Sequence, residues 1–584
     1  MSQFAAPISE KIWQDKYQFK EPDGTPIDTN VTDTWRRIAK ALSVNEPEYE
    51  NEFYEALEDF KFLPAGRITA GAGTARDVTL FNCFVNGTIP DDMRGIFDSV
   101  TEAALTMQMG GGIGYNFSTI RPKGAPVVGV GADASGPLSF MRVWNSMCLT
   151  VMSAGARRGA MMATMRCDHP DVMEFIKAKR DSDDMRMFNL SVLITDLFMD
   201  AVNSDDTWDL IFNGTVYDTI KARDLWETIM QSTYAFAEPG VIFIDRINDA
   251  NNLGYAETIA ATNPCGEQPL PPYGACLLGS INLPKFVDVD MIDWFELGRV
   301  VSVAVRMMDN VIDISNFPLE QHRKEAYAKR RIGIGVTGLA DMLAMLGLTY
   351  GSDESVKTTS LVMKFIAVTS YNASIDLAKE KGSFPDLDVE EYLKSGFMQG
   401  MPVDVRSGIR AYGIRNSHLT SVAPTGTISL YAGNVSSGIE PIFATSYERK
   451  ILMPDGSHEF EDVVDYAVAE WRKLSNAPLP EWFVTAQTLE PIAHVKMQAA
   501  AQRWVDSAIS KTINCQEDIE FEAFQQVYMD AWDMGCKGCT TYRPNDITGA
   551  VLTASDDATG SDDMSLEGGA CVFDPATGTT TCGD

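Results

Sequence analysis

Along the chain, short apolar runs alternate with longer segments whose apolar residues recur every three or four positions. The short runs predict β-strands, at 78–85, 113–117, 240–244, 332–336 and 419–423. The longer segments predict helices, including 32–42, 48–62, 224–236 and 360–379. Strand and helix in alternation predict an α/β fold with a mostly parallel sheet. The number of candidate strands is larger than a small open sheet requires, which favours a closed or two-halved barrel.

The pattern divides the chain into three parts. Residues 1–75 are helical, residues 76–550 carry the alternating strands and helices, and residues 551–584 form a tail. From Ser555 the tail is small, acidic and aperiodic, which predicts a flexible linker before Cys571 and Cys582.

Composition narrows the class of protein. The chain has 584 residues, 45% hydrophobic and 22% charged, which is enough for a large core. A net charge of −33 argues against a nucleic-acid coat or binding to anionic membrane. No apolar stretch is long enough to span a bilayer and no cleavable leader is evident, so we expect a cytoplasmic protein. In a reducing compartment the ten cysteines are core residues, metal ligands or redox groups.

The most informative segment is NPCGEQ, which starts at Asn263. If it is extended, alternation places Asn263, Cys265 and Glu267 on one side, so that an amide, a thiol and a carboxylate face one small cavity. An inert buried cysteine would not favour a carboxylate on its own face, because an unpaired buried charge is costly. The pattern predicts thiol chemistry on a hydroxyl-bearing substrate.

Each of the other motifs has both a structural and a functional interpretation. Cys83 and Cys276 lie on separate apolar runs, where a cysteine is most often a core residue. The run 424–429 (PTGTIS) could hold a diphosphate on backbone N–H groups, or be a helix N-cap. GIGVTG at 333–338 matches a dinucleotide fingerprint, but it lies deep in the chain and more simply predicts a tight strand-to-helix turn.

Metal sites have weaker support. The five histidines show no ligand spacing. Cys536 and Cys539 form a CxxC motif that Cys571 and Cys582 could complete, but ten residues separate the second pair, unlike a zinc ribbon.

Several runs together resemble the catalytic chain of a ribonucleotide reductase, over roughly residues 35–550. The NPCGEQ and GACLLGSINL runs resemble the class II, adenosylcobalamin-dependent branch. The matching runs are FNCFV at 81–85, GGGIGYNFSTIRPKG at 110–124, ASGPLSFM at 134–141, ARRGAMMATMRCDHPDV at 156–172, NPCGEQPLPPYGACLLGSINL at 263–283 and APTGTISL at 423–430.

The resemblance implies a ten-stranded α/β barrel around a finger loop that carries Cys265 as the thiyl radical site. Glu267 would act as base on the 3′ hydroxyl, helped by Asn263, and the Cys83/Cys276 dithiol would supply the electrons. The implied substrate-binding residues are Asn82, Gly112, Pro424, Thr425, Gly426, Thr427 and Ile428. The implied specificity loop is Ala156, Arg157, Arg158, Gly159 and Ala160.

The resemblance also implies partners. They are adenosylcobalamin, a ribonucleoside diphosphate, a deoxynucleotide or ATP effector, a second copy of the chain, and thioredoxin or glutaredoxin. The tail would carry electrons inward through Cys571 and Cys582. From Asn545 to Cys571 is 571 − 545 = 26 residues, which gives an r.m.s. reach of about 28 Å and a full extension of about 85 Å.

Two alternatives stay open. A class I large subunit would draw its radical from a separate metal subunit through two adjacent tyrosines, whereas the matching stretch holds only Tyr542. A non-catalytic nucleotide-binding or zinc-stabilised protein would keep both ligand binding and function after Cys265→Ser, whereas a reductase would lose deoxynucleotide formation while substrate still binds.

Overall fold

The computed structural model describes residues 3–127, 129, 131–153, 157–158, 160–180, 185–452, 458–544, 572–574 and 579–581. The predicted linker after Ser555 and both tail cysteines lie outside these residues.

Two sheets hold eleven strands. In chain order they are β1 Phe62–Pro64, β2 Cys83–Val85, β3 Gly112–Asn116, β4 Met161–Arg166, β5 Phe188–Ile194, β6 Gly240–Phe243, β7 Ala275–Cys276, β8 Leu278–Asn282, β9 Gly333–Thr337, β10 Thr512–Asn514 and β11 Gly538–Tyr542. One sheet has the spatial order β7-β2-β3-β4-β5-β6-β11-β10, and the other has the order β1-β8-β9.

The pairings fall into two parallel halves. In the first half β2, β3, β4, β5 and β6 are mutually parallel. In the second half β8 is parallel to β9 and β10 to β11, and parallel bridges join Ile334 to Thr420 and Val422 to Ile509. The halves meet antiparallel at two places, where β7 pairs with β2 and β6 pairs with β11.

These contacts form a ring. Strands β7 and β8 are separated only by Leu277, and Ile509 lies three residues before β10. Counting each as one continuous segment, the pairings visit ten extended segments and return to the first. This circuit is the strand arrangement expected of the ten-stranded barrel.

Helices surround the strands. The α-helices are Pro7–Ile12, Val31–Leu42, Glu50–Leu57, Gly66–Gly71, Met93–Gln108, Pro137–Thr150, Val172–Ile176, Asp196–Asn203, Ala222–Phe236, Ile244–Ala250, Trp294–Ile314, Glu320–Lys329, Leu339–Met345, Asp353–Lys381, Val389–Tyr392, Gly396–Gly400, Val403–Tyr412, Gly426–Tyr431, Tyr466–Leu474, Pro491–Gln502 and Phe521–Asp533. A π-helix covers Trp13–Tyr17, and 3₁₀ turns cover Pro47–Tyr49, Glu58–Phe60, Phe117–Thr119 and Leu283–Phe286.

Two-stranded ribbons complete the fold. They pair Pro126–Val127 with Ala132–Asp133, Met152–Ser153 with Arg157–Arg158, Thr207–Phe212 with Thr215–Lys221, Ala261–Thr262 with Pro269–Leu270, Val287–Asp288 with Met291–Ile292, Ser446–Leu452 with His458–Val464, and Val572–Asp574 with Thr579–Thr581.

Two predicted strands are shorter than expected because side chains take their backbone groups. The strand predicted at 419–423 makes only isolated bridges, since the Asp506 carboxylate accepts the N–H groups of Leu419 and Thr420. In the run 78–85 the strand covers only the last three residues, and ahead of it Ser315 Oγ accepts the N–H of Leu80.

The regular elements of the N-terminal region are helices, except for β1, which pairs antiparallel with β8. Within the described residues, no helix has the length and apolarity needed to cross a membrane.

Candidate functional site

The ribbon Ala261–Thr262/Pro269–Leu270, here called the finger, is held by both halves of the ring. From the first half, Thr164 Oγ1 donates to Ala260 O at 2.9 Å and Asn189 Nδ2 donates to Pro264 O at 2.9 Å. From the second half, Ser421 Oγ and Ala508 N both donate to Glu267 O at 2.9 Å. The finger therefore lies between the two halves, as the resemblance implied.

Two glycines of β3 let the finger approach the sheet. A Cβ on Gly114 would lie 1.9 Å from Thr262 O, so no larger residue fits there without moving backbone. A Cβ on Gly112 would lie 3.1 Å from both Cys83 Sγ and Pro264 Cγ. Gly112 thus makes room for the finger and for Cys83, and it is not among the residues that line the cavity described below.

The finger tip is a tight turn and not an extended segment. Gly266 N donates to Asn263 O, and Gly266 has a φ of +81°, a conformation that glycine adopts readily. Asn263 Oδ1 accepts from Gln268 N, and Asn263 Nδ2 donates to Glu267 Oε1 at 2.8 Å. The turn brings together the amide and the carboxylate that simple alternation was expected to align.

Cys83 and Cys276 are direct cross-strand partners in the β2–β7 pair. They share an apolar cluster inside the ring, formed with Ala65, Val85, Ala261, Leu270 and Leu278. Burial raises the pKa of the Cys276 thiol well above its ordinary value. The neighbouring Cys83, Glu267 and Cys265 raise it further, because each would place negative charge beside a Cys276 thiolate. Cys276 is therefore a protonated thiol at neutral pH.

One cavity joins these groups. The empty space inside it, open solvent included, is about 470 Å³. Its lining is Ala65, Gly66, Asn82, Cys83, Cys265, Glu267, Leu278, Gly279, Ser280, Ala423, Pro424, Thr425 and Ile428. Seven of the predicted site residues thus face one space: Asn82, Cys83, Cys265, Glu267, Pro424, Thr425 and Ile428.

The far wall of the cavity is the start of the helix Gly426–Tyr431. Thr425 caps this helix with a φ of +57° and is buried. Its hydroxyl is fixed by Thr337 Oγ1 at 3.0 Å and by Gly438 N at 2.7 Å. Gly426 and Thr427 begin the helix beside the cavity.

The other predicted residues have mixed outcomes. Ala160 O accepts from Ile113 N, and Arg157–Arg158 form a short strand, while Ala156 and Gly159 lie outside the described residues. In GIGVTG the glycines serve close packing: a Cβ on Gly335 would lie 2.3 Å from Ser421 O, and one on Gly338 would lie 2.4 Å from Pro284 Cδ. The motif is the tight turn that the sequence favoured.

Sequence reasoning missed part of the lining. Ser280 follows Cys276 at even spacing, so a period-two reading of the run from Cys276 could have found it. Ala65 and Gly66 gave no signal, because they come from the N-terminal region and meet the site only through the fold. Among the described residues, no three His, Cys, Asp or Glu side chains are arranged to hold a metal.

Comparison with known proteins identifies the family of the chain. A family model described as "Ribonucleotide reductase, barrel domain" matches residues 81–542, and one described as "Ribonucleotide reductase, all-alpha domain" matches residues 3–77.

Curated relatives agree. The vitamin B12-dependent ribonucleoside-diphosphate reductase of Thermoplasma acidophilum is 38% identical, over 94% of this chain and 72% of its own length. The protein of that name from Mycobacterium tuberculosis is 37% identical, over 93% of this chain and 78% of its own. The ribonucleoside-diphosphate reductase subunit alpha of Chlamydia pneumoniae is 27% identical, over 87% of this chain and 56% of its own. From the two family models and these identities, the chain belongs to the ribonucleotide reductase large-chain family.

Proposed function

We propose that this chain is a class II ribonucleotide reductase, which reduces ribonucleoside diphosphates to 2′-deoxyribonucleotides with adenosylcobalamin as radical source. The observation that carries the proposal is the single cavity lined by Cys265, Glu267 and Cys83, with Cys276 paired to Cys83 behind it. The identities of 36–38% to B12-dependent reductases, against 27% to the alpha subunit from Chlamydia pneumoniae, favour class II.

The residues are suited to a balanced reduction. A Cys265 thiyl takes the hydrogen atom from C3′, while Glu267 takes the proton of the 3′ hydroxyl. The 2′ hydroxyl leaves as water with a proton from the Cys83/Cys276 pair. That pair gives two electrons and its second proton and becomes a disulfide, so C2′ gains hydrogen. Glu267 returns its proton to the 3′ oxygen, and Cys265 returns a hydrogen atom to C3′.

The environment of each group supports its role. Glu267 is 2% exposed, and the hydrogen bond from Asn263 keeps the carboxylate aimed at one place. Cys276 is protonated at neutral pH, because burial raises its pKa, and it lies behind Cys83, the thiol that lines the cavity and can donate a proton to the departing hydroxyl. The surrounding apolar cluster excludes water from a radical.

The finger tip is compatible with adenosylcobalamin. Cys265 is half-buried, and a Cβ on Gly266 would meet no atom within 4 Å, so the approach to the tip is open on that side. When bound, adenosylcobalamin supplies the radical that removes the hydrogen atom from the Cys265 thiol. Cys265 and Gly266 would face it.

The start of the helix Gly426–Tyr431 is suited to the substrate diphosphate. Free backbone N–H groups at a helix start attract anions, and here Thr425, Gly426 and Thr427 offer a glycine between two hydroxyls. Asn82 lines the same cavity and can bind the ribose or phosphate.

The tail is proposed to return electrons to the Cys83/Cys276 pair from thioredoxin or glutaredoxin. The segment Thr579–Thr581 contacts the helix Gly426–Tyr431, beside the cavity. Val572 pairs with Thr581, and these two residues are the sequence neighbours of Cys571 and Cys582. This pairing of their sequence neighbours supports a joint role for the two cysteines, which have ten residues between them in the sequence.

A homodimer is supported by one exposed surface. The helix Met93–Gln108 exposes Met93, Phe97 and Leu105, and the helix Pro137–Thr150 packed against it exposes Leu149. Large exposed apolar side chains on adjoining helices mark association surfaces. Binding of nucleotide effectors near Arg157 and Arg158, and a cytosolic location, stay predictions.

Anaerobic turnover tests the proposal. A ribonucleoside diphosphate, adenosylcobalamin and dithiothreitol are expected to give deoxynucleotide with no second subunit present. Cys265→Ser should abolish product while substrate still binds, and Cys148→Ala, in a helix away from the cavity, should retain it. Cys571→Ser and Cys582→Ser should retain turnover with dithiothreitol and lose it with thioredoxin.

Two results would contradict the proposal. Product that forms only when an iron or manganese subunit is added would identify a class I large subunit. Full activity of Cys265→Ser would exclude a thiyl radical at this position.

A further inference from the structure

The N-terminal region packs directly on the helix that starts at the proposed diphosphate site. Ser9 is fully buried, and its hydroxyl donates to Leu430 O at 2.6 Å. The Tyr17 ring lies 4.9 Å from the Tyr431 ring. These two anchors fix the intervening residues against the helix Gly426–Tyr431.

Between the anchors the chain winds as a π-helix over Trp13–Tyr17. A π-turn accommodates an extra residue and redirects side chains, and it is frequent at functional sites. Here it carries Lys16, whose Nζ donates to Thr427 Oγ1 at 3.3 Å. An ammonium group from the N-terminal region thus meets a hydroxyl at the start of this helix.

The contact leaves the hydroxyl proton of Thr427 in place for a ligand. Its oxygen accepts from Lys16, and within the described chain this hydroxyl makes no other hydrogen bond. Thr427 directly precedes Ile428, which lines the cavity.

The Lys16 contact brings a positive charge to the start of this helix. The run 423–430 contains no lysine or arginine, and the whole chain has a net charge of −33. A diphosphate brought to this wall meets backbone N–H groups and hydroxyls, but a multiply charged anion is also stabilised by a nearby cation. Lys16 is bonded to Thr427, which lies in sequence between the lining residues Thr425 and Ile428.

We propose that Lys16 is a substrate-binding residue that contacts the diphosphate together with Thr427. The inference rests on the proposed function and deepens it, because it makes the N-terminal helical region a direct contributor to the substrate site. Lys16 adds charge and leaves the chemistry at the ribose to Cys265 and Glu267.

Equilibrium binding without adenosylcobalamin tests this without turnover. Calorimetric titration compares a ribonucleoside diphosphate with its nucleoside. Lys16→Gln is expected to weaken diphosphate affinity about tenfold, as for loss of one charged hydrogen bond. It should also flatten the salt dependence of binding, and it should leave nucleoside affinity unchanged.

Two further variants sharpen the test. Lys16→Arg keeps the charge and should restore diphosphate affinity to within about threefold of wild type. Lys20→Gln is the matched control, because Lys20 lies in the same segment and its Nζ donates to Gln14 O. It should bind as the wild type does.

The measurements distinguish failure of the role of Lys16 from failure of the proposed function. Wild-type diphosphate affinity in Lys16→Gln, or an equal loss of nucleoside and diphosphate affinity, would overturn the role of Lys16. Wild-type protein that binds no ribonucleoside diphosphate would overturn the proposed function, and this inference with it.

Discussion

Substitution of Gly114 by alanine tests whether the finger position controls catalysis. A Cβ at this position would lie 1.9 Å from Thr262 O. A carbon–oxygen contact needs about 3.3 Å, so strand and finger must separate by about 1.4 Å. The clashing atom is backbone, one residue from Asn263 and three from Cys265, so the tip must move with it.

The expected loss is larger in turnover than in stability. Overpacking of this kind costs about 1–3 kcal/mol of the free energy of unfolding. A displacement of about 1 Å at a reacting group can cost about 100-fold in rate. We therefore expect kcat to fall about 100-fold in anaerobic turnover, while the melting temperature drops by only a few degrees.

Gly400→Ala is the matched control. A Cβ there meets no atom within 4 Å, and Gly400 lies in a helix far along the chain from the finger. It should keep wild-type turnover and melting temperature. Gly114→Ala with wild-type kcat would refute the reasoning, since the finger would then tolerate the displacement. If Gly114→Ala fails to fold, Thr164→Val removes the bond to Ala260 O without a clash and should lower kcat by about tenfold.

Three further predictions concern buried polar groups. Asn263→Leu removes the donor to Glu267 Oε1, so it should lower kcat. It should also lower the free energy of unfolding by about 1–3 kcal/mol, measured from the urea midpoint. An unchanged kcat would exclude the positioning role. Burial lowers the pKa of His322 to about 3, and neither ring nitrogen has a partner in the described chain. The unfolded chain takes up this proton near pH 6.5, so the histidine lowers the free energy of unfolding as pH falls from 6.5 towards 3. By urea unfolding, the effect of His322→Phe on that free energy should be about 2 kcal/mol more stabilising at pH 5 than at pH 7. An equal effect at both pH values would contradict this. Lys537 donates to Asp506 O at 2.7 Å and Ser507 O at 2.6 Å; Lys537→Met should cost about 3 kcal/mol or more by chemical denaturation, and a neutral effect would show that this loop is held by other contacts.

The sequence was informative where chemistry is local. NPCGEQ carries a thiol, a carboxylate and an amide within five residues, so the core of the site could be predicted from one segment. The helices at 32–42 and 224–236 were found because their apolar period is regular, and they lie within two residues of the observed Val31–Leu42 and Ala222–Phe236.

Prediction was less successful where the structure depends on distant contacts. Cys83 and Cys276 are 193 positions apart (276 − 83), and only the family resemblance implied that they act together, since each by itself was expected to be a core cysteine. The run at 419–423 failed as a strand because the Asp506 carboxylate bonds its N–H groups, a contact with no local signal. Lys16 was missed for the same reason: nothing in residues 13–17 indicates that they lie on residues 426–431.

The bonds that hold the finger end on its backbone carbonyl oxygens, and this suits radical chemistry. The Glu267 carbonyl accepts from Ala508 N, and Ala508 follows the loop that Lys537 holds through its carbonyl oxygens. The Asp506 carboxylate of that loop in turn fixes Leu419 and Thr420. A chain of bonds thus runs from β11 to the finger without using the thiols or the Glu267 carboxylate. Because the supporting bonds fall on backbone atoms, the side chains at the tip stay available for substrate while their positions stay fixed.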